Sequence, residues 1–415
     1  MKKLPLHEIA SRSEELDKCV TCGLCQSVCP TFIADGHEGK TARGKIILLR
    51  GLLDGSLSPT SSIADIFDDC LTCYACQTVC PAGVKTERLW TSARFDLAEK
   101  SSSTRKKRIG LRWTIGKPAL FNILVRIAGK FGFDPDKPES VNLHNRIVLP
   151  FKGAPLLDSL EEEYLPEGSP VGTVAMLVGC SGNLFAPNVV KSSIRLLTAF
   201  GWRVIIPKDQ VCCGAPAINN QDWKTARKLA LKNMDVFLSL DVDRVTSPDA
   251  TCTGAIMKDY KEIFRSDEIV LSHLKKLASK TAQLSEVLGN YKTDIKPAFR
   301  VFKSRVTLHD SCHSTHLTGG SGWRKLLNKI EGLEIIEMQE SDHCCGFGGS
   351  YSLFHRETAM KIADRKLSNS VKTGAELVLV GSPGCLIWLN SAKKLVPSGN
   401  LKIQHVSELI SNAIC

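Results

Sequence analysis

The residues best suited to chemistry are cysteines at repeated short spacing. Cys19-x-x-Cys22-x-x-Cys25-x-x-x-Cys29-Pro30 returns as Cys70-x-x-Cys73-x-x-Cys76-x-x-x-Cys80-Pro81. Three thiolates three residues apart can converge on one [4Fe-4S] cluster, and the Cys-Pro member closing each run ligates the cluster of the other run. The spacing therefore predicts one cluster on Cys19, Cys22, Cys25 and Cys80, and a second on Cys70, Cys73, Cys76 and Cys29. Structural zinc is the competing reading, but zinc prefers four ligands per site, commonly as two Cys-x-x-Cys pairs. Two such clusters usually pass single electrons.

A second set of cysteines lies further along the chain. Cys180, the pair Cys212-Cys213 before Gly214, and Cys252 recur as Cys312, Cys344-Cys345 before Gly346, and Cys385, at offsets of 132, 132 and 133 residues. His273 maps to His405 at an offset of 132. Glycine after a vicinal pair permits the turn that lets both side chains face one object. A third and a fourth iron-sulfur cluster is the functional expectation; buried free cysteines packing as small apolar groups is the alternative. His309, His313 and His343 stand near the second set and could hydrogen-bond sulfur, carry protons, or serve only as structural residues. Cys415 has no repeat partner and is assigned no role.

The elements that must position these residues follow from periodicity. Residues 1–18, 44–53 and 62–67 read as helical, which predicts a helical ferredoxin-like domain over 1–100. From Val171, short apolar runs at Val174–Val178, Arg203–Ile206, Arg244–Thr246, Arg305–His309, Leu333–Met338, Glu376–Val380 and Leu401–Val406 alternate with helical stretches at Asn188–Phe200, Trp223–Leu240, His355–Ser370 and Ile387–Leu395. Strand and helix in alternation imply parallel α/β sheets, whose ligand sites form at the carboxyl ends of strands. The predicted fold class is α+β multidomain, a helical ferredoxin-like domain followed by two duplicated α/β Cys-Cys-Gly lobes at 171–300 and 301–415. Between them, 101–170 reads as a basic amphipathic segment and linker.

Composition bounds the setting. The chain has 415 residues, 43% hydrophobic and 23% charged, with 17 cysteines at metal-ligand spacing, which points to a reducing compartment. The amino terminus lacks the apolar run of a secretory signal, and no apolar stretch is long enough to span a bilayer; the expected location is cytoplasmic, or peripheral on the cytoplasmic face of the membrane. The net charge of +11 is concentrated between Arg105 and Lys130, where eight basic residues occur without an acidic one. Interleaved with Ile109, Leu111, Trp113, Ile115 and Phe121, they suit a membrane interface; a hairpin packed on the protein or a partner is the equal alternative. Pro118 splits the stretch into two pieces. No stretch resembles a flavin or nicotinamide site, and nucleic acid is not an expected partner.

Two Cys-x-x-Cys-x-x-Cys-x-x-x-Cys-Pro runs followed by two Cys-Cys-Gly lobes resemble the iron-sulfur subunit of glycolate oxidase and its D-lactate dehydrogenase relatives. Arg43-Gly44-Lys45-Ile46 and His343-Cys344-Cys345-Gly346-x-x-Gly349-x-Tyr351-x-Leu353 carry the likeness further. The chain is more distantly similar to heterodisulfide reductase catalytic subunits, but those carry Cys-x-x-Cys where this chain has Asp249-x-x-Cys252 and Ser382-x-x-Cys385. The resemblance implies an electron-transfer subunit without catalytic residues or a hydroxy-acid site of its own. It also implies a separate FAD-containing subunit that oxidises glycolate or D-lactate, with electrons leaving toward membrane quinone. Reduction of a disulfide or quinone at a Cys-Cys-Gly site is the second hypothesis, and a zinc-bearing scaffold the third.

Overall fold

The computed structural model describes residues 6–117, 120, 123, 154–289, 297–320, 322–396 and 399–415. The amino-terminal part is helical, as its periodicity predicts, although the first helix is two short ones, His7–Ala10 and Ser13–Asp17. Helix Ala42–Leu53 starts at Thr41, whose hydroxyl accepts from the Gly44 amide at 3.0 Å. Ser61–Asp68 is started in the same way by Thr60. Such caps satisfy amide donors that the first turn leaves unpaired. Ile46, Leu49, Phe67, Leu89 and Trp90 close the core of this unit, with Leu89 and Trp90 contributed by the helix Thr86–Asp96.

Among the described residues the strands form two four-stranded sheets. The first contains β1 (Glu163–Tyr164), β2 (Gly172–Met176), β3 (Trp202–Ile205) and β4 (Arg244–Thr246), in the order β1-β3-β2-β4. The second contains β5 (Ser304–His309), β6 (Leu333–Ile335), β7 (Leu377–Val380) and β8 (Lys402–His405), in the order β6-β5-β7-β8. Each has three parallel strands in one arrangement, β3-β2-β4 and β6-β5-β7. They differ at the edges. β1 adds antiparallel to β3, so the described part of the expected linker contains a short edge strand, with Leu156 and Leu160 in the core beside it.

The other edge corrects the pairing of His273 with His405. β8 lies parallel to β7, with Val378 opposite Ile403. In the first sheet the position next to β4 is a single bridge, Val245 to Thr281. Two residues past each of these positions, Gln283 and His405 occupy the same place. The Gln283 amide donates to Glu286 at 3.0 Å and the His405 amide to Glu408 at 3.1 Å. His273 lies instead on the exposed face of the helix Glu268–Lys280. The first repeat carries 11 more residues than the second between its last cysteine and this position, so a fixed offset selects the wrong residue.

The two sheets share one core. Val174, Met176 and Val204 of the first meet Val306, Leu308 and Leu379 of the second. The connecting helices cross over: Val406–Ala413, at the end of the chain, packs on Pro187–Ala199 beside the first sheet, and Leu284–Gly289 packs on Trp323–Leu327 beside the second. Of the basic amphipathic segment, Ser102–Trp113 is helical. The second piece expected after Pro118 lies almost wholly outside the described residues. Leu111 and Ile115 bury against Ile218, Ala226 and Leu229, while Ile109 and Trp113 stay more than half exposed. No helix among the described residues is long and apolar enough to cross a membrane.

Candidate metal centres

The two amino-terminal cysteine runs are held in matching ways. Thr21 and Thr72 have φ of 55° and 50°, and Gly23 and Tyr74 of 87° and 62°. A β-branched residue in the left-handed region is strained, and such strain persists where the surroundings over-determine it. Each run is also tied down by an arginine that spacing did not reveal. Arg50 Nη2 donates to the Cys19 carbonyl at 3.0 Å, and Arg94 Nη2 to the Cys70 carbonyl at 2.7 Å. Cys19, Cys22, Cys25, Cys76 and Cys80 line one small hollow. Cys22 is exposed there, flanked by the exposed side chains of Val20 and Leu24.

The second run lies deeper. Burial pushes the Cys76 thiol up to about 12. Cys73 is pushed well up by burial and then by the neighbouring thiols of Cys312 and Cys76. Cys73 shares a core with Cys312, Cys344, Cys345 and Cys385, so the second run abuts the second sheet's cysteine set. Polar contacts fasten this junction. His313 Nε2 donates to the Thr72 carbonyl at 3.0 Å, and the His313 ring stacks on Tyr74. Tyr351 donates to Asp69 at 2.6 Å.

Each sheet gathers its four cysteines beyond the carboxyl ends of its strands, as the α/β pattern predicts. In the first, the sulfurs of Cys180 and Cys212 are 3.8 Å apart, and Cys213 lies between Cys212 and Cys252. In the second, Cys345 and Cys385 are 3.3 Å apart, and Cys344 lies between Cys312 and Cys345. Gly214 and Gly346 adopt φ of 85° and 92°, and their amides face the Cys212 and Cys344 sulfurs at 3.5 and 3.4 Å. Tyr260 donates to the Cys213 carbonyl and Trp388 to the Cys345 carbonyl, both at 2.8 Å. Contact with Cys212 and burial push Cys180 well up, as contact with Cys344 and burial do Cys312. A thiolate is stable in such a place only beside a cation. Converging thiols, amides aimed at sulfur and exclusion of water fit an iron-sulfur core, whose ligands are thiolates.

Both sets open onto one cavity of about 270 Å³, lined by cysteines of both sheets and by Leu111, Ile115, Phe185 and Phe347. Asp249 also lines it. Ser181 donates to Asp249 Oδ2 at 2.9 Å and Ser382 to Oδ1 at 3.0 Å. The two residues that stand where heterodisulfide reductases have cysteine therefore bond to each other between the sets.

The three histidines differ. His313 bridges to the ferredoxin-like part, and His343 faces Glu340 at 3.9 Å. His309 is fully buried, and burial holds its imidazole down at about 3. One of its ring nitrogens and the sulfurs of Cys345 and Cys385 all lie within 4.8 Å of one another. Cys415, at the chain end, is exposed.

The chain matches the 4Fe-4S dicluster domain over residues 15–84 and the Cysteine-rich (CCG) domain twice, over 174–257 and 306–390. It is 28% identical to the glycolate oxidase iron-sulfur subunit of Escherichia coli (strain K12) and to the probable one of Bacillus subtilis (strain 168), in each case over 96% of this chain and 94% of the relative. Lactate utilization protein A of Bacillus subtilis (strain 168) is 32% identical over 58% of this chain and 99% of its own length. A crystal structure of a hypothetical protein from Helicobacter pylori has a similar fold, with a TM-score of 0.57 at 11% identity, covering 97% of this chain and 72% of that one. With a dicluster domain ahead of two CCG domains, the chain belongs to the electron-transferring family of glycolate oxidase iron-sulfur subunits and lactate utilization protein A.

Proposed function

We propose that this chain is the electron-transfer subunit of a 2-hydroxy-acid dehydrogenase complex, carrying charge from a partner's FAD toward a membrane quinone. The observation that carries the reading is the serial placement of the cysteine sets. Exposed Cys22 marks one end, Cys73 abuts Cys312 in the middle, and the cavity shared by both sheets lies at the other end. On this reading Cys19, Cys22, Cys25 and Cys80 hold one cluster and Cys70, Cys73, Cys76 and Cys29 the second. Cys180, Cys212, Cys213 and Cys252, with Cys312, Cys344, Cys345 and Cys385, hold the further ones. Such clusters accept one electron each, at potentials set by burial and by hydrogen bonds to sulfur. The chain's own part is to bury the sulfurs, aim amides at them and keep water out. Residues 1–100, 101–170, 171–300 and 301–415 are the units we assign.

The test is anaerobic purification with the natural partners. Iron well above the about eight atoms of two ferredoxin-type clusters, flavin only on another subunit, and acceptor reduction that stops when this chain is withheld would agree. A colourless, iron-free chain, or turnover that proceeds without it, would refute the proposal.

The apolar cavity favours a second reading in which this chain itself reduces a disulfide or quinone between the two Cys-Cys-Gly sites. Turnover of either compound by the isolated chain with a chemical reductant, abolished on filling the cavity by Ala215→Trp, would support it. Reduction that requires the flavin subunit even with a chemical reductant present would count against it.

A further inference from the structure

The two Cys-Cys-Gly sites share a backbone plan, but among the described residues a histidine stands at only one of them. His309 ends β5. Its Nδ1 lies 3.0 Å from the Ser341 carbonyl. A carbonyl can only accept, so Nδ1 carries the proton and, in the neutral ring, Nε2 presents a bare lone pair. That Nε2 is buried and has no hydrogen-bond partner among the described residues. An orphaned nitrogen at a fully buried position is costly unless something fills it, and one nitrogen of this ring lies within 4.8 Å of the sulfurs of Cys345 and Cys385. A histidine that ligates a metal typically donates its other ring N–H to a carbonyl or carboxylate, which fixes the ring's orientation.

The matching position in the first sheet, 132 residues earlier, is Leu177. It is buried in the same core as Cys213 and Cys252 and offers no donor atom. A second difference has the same sense. Lys366 is buried against the Glu340 and Ser341 carbonyls near Cys344 and Cys345, whereas the residue 132 positions earlier is Met234.

We propose that His309 Nε2 is an iron ligand of the second Cys-Cys-Gly site, which thereby differs in kind from the all-sulfur first site. The proposal rests on the reading that these sites hold iron-sulfur clusters. Neutral imidazole brings less negative charge to iron than thiolate, and histidine ligation raises cluster potentials where it occurs. The second site, with His309 and Lys366, therefore holds an electron more firmly than the first.

The experiment uses the whole chain with its partners, grown with 15N-histidine and examined by pulsed EPR in both oxidised and reduced states. A strongly coupled nitrogen that changes isotope with the histidine label is expected. It should vanish in His309→Leu, which copies Leu177, and persist in His313→Gln. His309→Cys should keep the iron, lose the nitrogen signal and lower one cluster potential while leaving the others in place. Iron above the two N-terminal clusters with no histidine coupling in either state would overturn the assignment of His309 alone. Iron that accounts only for those two clusters would overturn this assignment together with the reading beneath it.

Discussion

Replacing Tyr351 with phenylalanine removes one oxygen and should loosen the junction between the ferredoxin-like part and the second sheet. Tyr351 donates to Asp69 at 2.6 Å, and Asp69 is only 7% exposed. Burial works to raise the Asp69 carboxyl, but the bonds from Lys40 and Tyr351 and the nearby His355 ring outweigh it and hold the group below its ordinary range. The bond is therefore charge-assisted and nearly dry, the class worth about 1.5–3 kcal/mol. Lys40 and His355 remain beside the carboxylate, so the group is not orphaned, and phenylalanine keeps the stack on His355. A loss of about 2 kcal/mol is expected, or about thirtyfold in the docked-to-undocked ratio. Hydrogen exchange of the amides over residues 70–78 should accelerate by about that factor if they are protected by docking. Combined with Asp69→Ala, the losses should fall short of additive, since either variant alone removes the Tyr351–Asp69 bond. Exchange within twofold of the parent, or strict additivity, would refute the reasoning.

Cys29→Ser should damage the cluster on Cys70, Cys73 and Cys76; an altered spectrum confined to the cluster on Cys19 would reverse the crossed assignment. Gly346→Ala should cost the second Cys-Cys-Gly site its iron, because a Cβ there would lie 2.6 Å from the Ala359 carbonyl. At Gly214 the nearest atom would be 3.7 Å away, so Gly214→Ala should incur only backbone strain of about 1–2 kcal/mol and retain iron; equal iron loss in both would contradict this. Asp96, which accepts from the Ile9 amide at 2.8 Å, is pushed up to about 6 by burial. Between about pH 4 and 6 the folded state thus binds more protons than the unfolded one, and stability falls as pH rises through that window. Asp96→Asn should flatten that slope in urea titrations at stepped pH; an unchanged slope would exclude Asp96 as its source.

What was legible in the sequence depended on local spacing. The cysteine runs and the seven parallel strands repeat over short distances, and the structure finds each strand at or within a few residues of its expected place. Arg50 and Arg94 were not legible, since an arginine that donates to a carbonyl 31 or 24 residues away leaves no periodic trace. The pairing of Gln283 with His405 did leave a trace. Gln283-Leu284-Ser285-Glu286-Val287-Leu288 and His405-Val406-Ser407-Glu408-Leu409-Ile410 share a pattern, but its shifted offset hid it. β1 is two residues long and takes its conformation from β3, so no alternation marks it. Of the two readings of the basic segment, packing on the protein describes Leu111 and Ile115, which cover a protein surface, while Ile109 and Trp113 stay exposed. Arg112 adds a fork of bonds to Asp222 at 3.0–3.2 Å.

The same strand order in two sheets would make two equivalent sites if nothing else touched them. What separates them is where the ferredoxin-like part sits. Leu71, Cys73 and Ala75 enter the core of the second sheet's site, while the first sheet's cysteines pack with Ala230, Phe237 and Tyr260. A thiol set flanked by His309, His313 and Lys366 is thus the one beside Cys73, and the set with Leu177 and Met234 lies across the cavity from it. Both sets face the cavity together. If electrons leave through that cavity, a two-electron acceptor there would meet two one-electron sites at once. This follows from placing one dicluster unit against one member of a matched pair, and it requires no residue beyond those already assigned.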